Sequence, residues 1–95
     1  MNLNGRSTLV TGGAGGLGEA VVRLFAAAGA SVVIFDAAAD RARRLADELG
    51  DTVLAVAGDV LSETSVGEAV EVATGLGELS AVAIVHGAGV AGRTV

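Results

Sequence analysis

The 95-residue sequence has no cysteine, proline, tryptophan or tyrosine, and all six of its basic residues are arginine, so lysine is missing too. Without cysteine, neither a disulfide nor a thiolate metal site can form. The one histidine, His86, has no second imidazole to share a metal with, and no ligand set at usable spacing accompanies it. It is expected to be a structural residue at a strand end, and no metal site is predicted. Positive charge is scarce as well: the net charge is −5, and the densest basic group is Arg41, Arg43 and Arg44. That balance argues against a surface that tracks nucleic-acid phosphates, and the triplet reads as a solvated helix face. No apolar run approaches the roughly 18 residues of a membrane span, and Met1–Arg6 lacks the basic-then-apolar build of a signal peptide. The G-x-S-x-G elbow and the G-K-[ST] ending of a P-loop are also absent, which argues against acyl transfer and nucleotide triphosphate hydrolysis by those routes. The expectation is a soluble, cytoplasmic chain that binds neither nucleic acid nor membrane.

What the sequence does have is small apolar side chains and glycine. It is 52% apolar and 18% charged, which places it with folded proteins, and its length admits one domain, residues 1–95. Ser7–Thr11 reads as a strand that runs into five glycines between Gly12 and Gly18. From there Leu17, Ala20, Val21, Leu24, Phe25 and Ala28 fall on one face of a helix, which Gly29 ends. Ser31–Phe35 is a second strand closing on Asp36. A second helix carries Ala38, Ala42, Leu45, Ala46 and Leu49 and stops at Gly50. Thr52–Ala57 is a third strand, ending at Gly58-Asp59-Val60. Ser62 is the expected N-cap of a third helix through Val66, Ala69, Val70 and Ala73, and Ala81–Val85 is a fourth strand running into His86-Gly87-Ala88-Gly89. Strict alternation of this kind predicts an α/β fold, a doubly wound parallel sheet of order 3-2-1-4 with right-handed crossovers. Ligands of such sheets lie beyond the carboxyl ends of the strands, where the order reverses.

The loop Thr11-Gly12-Gly13-Ala14-Gly15-Gly16-Leu17-Gly18 joins a strand to a helix, the context in which glycines serve a phosphate. Missing Cβ atoms let backbone approach a pyrophosphate, and the helix N-terminus offers unpaired N–H groups and a positive dipole end. A tight turn alone would need only one or two such residues. The cluster fits two registers, G-x-G-x-x-G at Gly13, Gly15 and Gly18, and T-G-x-x-x-G-x-G at Thr11, Gly12, Gly16 and Gly18. Asp36, 18 residues past Gly18, stands where a carboxylate can accept hydrogen bonds from ribose hydroxyls and repel a 2′-phosphate; capping the following helix is the alternative, and the two can coexist. Asp59 could equally be an ordinary turn residue.

The second register, the acidic end of strand two, Asp59-Val60 after strand three and Ala88-Gly89 after strand four together resemble the short-chain dehydrogenase/reductase family. They span nearly the whole chain in the family's order. The resemblance implies a Rossmann-type sheet binding NAD through Gly12, Gly15, Gly16, Leu17, Gly18 and Asp36. It gives Asp59 and Val60 the adenine ring. It places Gly87, Ala88 and Gly89 at the nicotinamide side, where the family has N-N-A-G; His86 and Gly87 depart from that pattern. The glycine loop with Gly-Val-Ala-Gly-Arg-Thr-Val is similar to the branch containing 3-hydroxyacyl-CoA dehydrogenases.

The family's chemistry uses a Tyr-x-x-x-Lys pair and an upstream Ser, and this sequence holds neither tyrosine nor lysine. No catalytic residue is therefore assigned within it, and the chain reads as the N-terminal part of a longer single-domain oxidoreductase with a small-molecule substrate and a homo-oligomeric state. A non-catalytic NAD-sensing module and a ligand-free scaffold are the alternatives. With the sheet ending after the fourth strand, Ala81–Val85 is expected to form a bare apolar edge through which the chain self-associates.

Overall fold

Four runs of β-branched and small apolar side chains form strands β1 (Arg6–Thr11), β2 (Ser31–Asp36), β3 (Val53–Ala57) and β4 (Glu78–His86). Between them lie helices α1 (Gly16–Ala27), α2 (Ala39–Leu49) and α3 (Glu63–Leu76), and a fifth strand, β5 (Gly89–Thr94), follows. The computed structural model describes residues 2–12, 14–86 and 89–94, with side chains up to Ile84. The strands make one sheet in the order β3-β2-β1-β4-β5. Its first four members are parallel, with Leu9 opposite both Val33 and Val82, and Val33 opposite Leu54. This is the 3-2-1-4 order of a Rossmann-type α/β sheet, as the alternation of elements predicts.

Side chains alternate across a strand, so each strand feeds two layers. Val10, Val32 and Ile34 pack with Val22 of α1 and Ala42, Leu45 and Ala46 of α2. Leu9, Val33 and Phe35 face the other way, onto Ala69 and Ala73 of α3. β1 and β2 are therefore covered on both faces, which is why Val32–Phe35 of β2 is continuously apolar rather than alternating. Each Val, Leu or Phe so buried contributes about 1.5–3 kcal/mol. The hydroxyls caught in this core are satisfied: Thr8 Oγ1 donates to the Ser31 carbonyl at 3.1 Å, and Ser7 Oγ to that of Gly77 at 3.2 Å.

The helix ends follow local chemistry. Gly29, with φ of +94°, turns the chain out of α1 in a conformation that side-chain-bearing residues disfavour. Ser62 caps α3 by accepting from the Ser65 amide at 3.3 Å, as its position before the helix implies. Among the described residues, no helix is long and apolar enough to cross a membrane.

Two features depart from the sequence reading. β4 begins at Glu78 rather than Ala81, with a register shift where Ser7 and Thr8 face Leu79 and Ala81. The sheet also does not stop at β4. β5 pairs antiparallel with it from His86↔Gly89 to Ala81↔Thr94, so the expected bare edge over Ala81–Val85 is hydrogen-bonded. A nine-residue strand with an open side presents a row of backbone donors and acceptors, and the chain that follows satisfies them by returning alongside. Among the described residues, β3 and β5 are the edge strands.

Candidate functional site

β1 ends at Thr11, whose buried hydroxyl donates to the Ala83 carbonyl at 3.5 Å and ties it to β4. The chain then turns at Gly12, where φ is +70° and the amide donates to the Phe35 carbonyl at 2.8 Å. Gly15 is the N-cap of α1, and no side chain caps it. Gly16, Leu17 and Gly18 form the first turn, so their amides have no acceptor within the helix. The first helical bond is made by Glu19, to the Gly15 carbonyl at 2.7 Å. A helix end left open in this way is a ready anion site.

Two of these glycines are not required by the fold. A Cβ placed on Gly15 would make an ordinary 3.8 Å contact with the Gly12 carbonyl oxygen, and one on Gly16 would meet nothing within 4 Å. Neither has a positive φ. The bare backbone there leaves approach open from outside the protein.

Asp36, the last residue of β2, lies beside this loop. Its Oδ2 accepts from the Ala14 amide at 3.0 Å and its Oδ1 from the Ala38 amide at 2.8 Å. It is not the N-cap of α2, a position held by Ala38 without a side-chain bond; the carboxylate instead shapes the turn into that helix. The Asp36 carbonyl receives the Gly58 amide at 3.2 Å, which brings the loop after β3 to the same place. There Asp59 Oδ1 accepts from the Leu61 amide at 2.9 Å, so Asp59 serves a turn, while its side chain stays exposed with Val60 at 46% and Leu61 at 88%. Leu17 is 42% exposed on the first turn of α1.

The predicted residues Gly12, Gly15, Gly16, Leu17, Gly18, Asp36, Asp59 and Val60 thus gather at the carboxyl ends of three adjacent parallel strands. Gly89 opens β5 opposite His86, and Gly87 and Ala88 lie outside the described residues. Sequence reasoning assigned no role to Ala14 or Gly58. Ala14 is the loop residue whose amide reaches Asp36, and nothing in its identity announces this. Gly58 had a signal, as the glycine opening the Gly58-Asp59-Val60 turn.

Beside the loop, a cleft of about 230 Å³ separates α1 from α2, lined by Ala14, Glu19, Arg23, Arg41, Arg44 and Glu48 among others. Arg23 bridges it, donating to Glu19 at 2.9 Å and pairing with Glu48. The hydrogen bond to Glu19, and then that to Glu48, hold its guanidinium protonated beyond the ordinary arginine value.

Short chain dehydrogenases match this sequence over residues 6–95. The chain belongs to the short chain dehydrogenase family. It is similar to the solved 3-hydroxyacyl-CoA dehydrogenase type-2 from Mycobacterium avium, with 51% identity and a TM-score of 0.84 over 87% of this chain and 33% of that one. A 3-ketoacyl-(acyl-carrier-protein) reductase from Brucella melitensis, solved complexed with NADH, shows 42% identity and a TM-score of 0.77 over 83% of this chain and 33% of its own. The cis-2,3-dihydrobiphenyl-2,3-diol dehydrogenase of Paraburkholderia xenovorans is 48% identical over 62 residues, which is 65% of this chain and 22% of that protein. The chain therefore spans between about a fifth and a third of the length of these short chain dehydrogenases. The family is one of oxidoreductases, and the region matched is the parallel sheet with its glycine loop.

Proposed function

We propose that this chain binds NAD as the N-terminal, cofactor-binding part of a short-chain oxidoreductase. The observation that carries this is the open N-terminus of α1: uncapped amides at Gly16, Leu17 and Gly18, reached across glycines the packing does not require, with the Asp36 carboxylate alongside. That donor set fits a diphosphate followed by a hydroxylated sugar. Gly16, Leu17 and Gly18 would hold the diphosphate through backbone N–H groups. Asp36 keeps lone pairs on both oxygens beyond those used by Ala14 and Ala38, and these would accept from the adenosine ribose hydroxyls. Val60, exposed after β3, and the backbone beside it would take the adenine. Gly87, Ala88 and Gly89 are proposed for the nicotinamide side from the family resemblance.

When bound, NAD supplies the hydride acceptor for an alcohol or the donor for a ketone. The residues of this chain bind and orient it. They include no tyrosine or lysine to exchange a proton with the substrate, so that step is proposed for other parts of a longer, homo-oligomeric, cytoplasmic protein. A 3-hydroxyacyl thioester is the proposed substrate class, supported by the 51% identity to the Mycobacterium avium enzyme. A second reading is a module that binds NAD without turning it over, since the open N-terminus of α1 would serve either.

Calorimetric titration separates these from a ligand-free scaffold. NAD is expected to bind, and NADP to bind less tightly because Asp36 repels its additional phosphate. Tighter binding of NADP would overturn the cofactor choice, and no heat with either would overturn the binding site.

A further inference from the structure

We infer that Asp36 is a positioning residue for the phosphate loop, in addition to any contact it makes with ribose; the inference rests on the nucleotide-binding reading above. Its two oxygens are not equivalent. Oδ1 takes the Ala38 amide two residues along the chain, which is a local turn. Oδ2 takes the amide of Ala14, 22 residues away and in the middle of the glycine loop.

Among the described residues, two backbone hydrogen bonds also act on that loop. The Gly12 amide is fixed to the Phe35 carbonyl at 2.8 Å, and the Gly15 amide reaches the Gly12 carbonyl only at 3.3 Å. Among the described residues the Asp36 carboxylate is the charged partner between them, and a hydrogen bond to a carboxylate is stronger than one to a neutral oxygen. The end of β2 thus grips the loop twice, by the Phe35 carbonyl and the Asp36 side chain. The consequence is a division of labour. Drawn to Asp36, the Ala14 amide is withheld from the anion, and the loop is set so that Gly16, Leu17 and Gly18 point their amides outward. The acid recognises the sugar and also holds the frame that recognises the phosphates.

The substitution Asp36→Asn isolates this second role. Its NH₂ can still bond a hydroxyl, but with one oxygen in place of two it can accept from the Ala38 or the Ala14 amide and not from both, and it turns a donor toward the other. Removing a negative charge would by itself tighten an anionic ligand, so weakening reports loss of loop order. The probes are ADP and 2′,3′-dideoxy-ADP, titrated into the full chain and its D36N variant. D36N is expected to weaken both by about tenfold, the scale of one charge-assisted hydrogen bond. If D36N weakens ADP alone, or leaves dideoxy-ADP unchanged or tighter, the positioning role is overturned and the nucleotide site stands. If the unsubstituted chain binds neither probe, the nucleotide reading falls and the inference with it. A second measurement needs no variant: the Ala14 amide of the ligand-free chain should exchange with solvent at least tenfold more slowly than an unprotected loop amide. Free exchange there overturns the inference even if D36N does not fold.

Discussion

Gly58 lies against the ring of Phe35 so closely that a Cβ on it would fall 2.5 Å from Cε1 and 3.1 Å from the Cβ of Ser65. Phe35, on β2, is fully buried and packed with Leu9 and Val33 and with Ala69 and Ala73 of α3. The contact fixes how near the loop after β3 comes to the end of β2, and so where Asp59 and Val60 stand relative to Asp36.

Gly58→Ala is accordingly expected to lower stability by about 1–3 kcal/mol through overpacking, read as a drop in denaturant midpoint. An unchanged midpoint would mean that the ring moves freely.

Gly16→Ala should behave in the opposite way. Nothing in the protein lies within 4 Å of the added methyl, and alanine lowers the entropy of the unfolded chain, so stability should stay level or rise by up to about 1 kcal/mol. NAD affinity should nevertheless fall about tenfold, roughly 1.4 kcal/mol, because the methyl stands where a diphosphate would approach. Equal binding by the variant would remove Gly16 from the site.

At Gly29 two effects can be separated. A Cβ there would collide with Asn4 Oδ1, but Asn4 is exposed and its side chain can swing away. The φ of +94° cannot be relieved so simply. Gly29→Ala should therefore cost about 1–2 kcal/mol, and adding Asn4→Ala should restore little of it in a thermal melt.

Ser62→Ala removes the side-chain bond that caps α3. A loss of about 1 kcal/mol is expected in denaturant titration, with NAD affinity unaltered because Ser62 serves the helix rather than the site.

Most of this architecture could be read in the sequence because its signals are local. Continuous apolar runs at Leu9–Val10 and Val32–Phe35 state that those strands are covered on both faces, and Gly29, Gly50 and Ser62 mark helix ends by their own conformational chemistry. β5 was not legible, since Gly-Val-Ala-Gly-Arg-Thr has two glycines and no branched run; it is a strand because β4 offers it an open edge, which is tertiary context. The site divides in the same way. The glycine loop and Asp36 are candidates by spacing, whereas the bond from Ala14 to Asp36 joins residues 22 apart whose meeting depends on the parallel pairing of β1 with β2. Asp59, marked by motif and equally readable as a turn residue, accepts from the Leu61 amide in its own turn.

The central claim is that a diphosphate sits on the first turn of α1. Backbone amide shifts recorded while NAD is titrated into the chain test it most directly. The largest changes should fall on Gly16, Leu17 and Gly18, with smaller ones at Ala14 and Asp36. Saturating NAD that leaves those amides still, or that instead moves residues around Asp47, Asp51 and Leu54 at the C-terminal end of α2, would contradict the account.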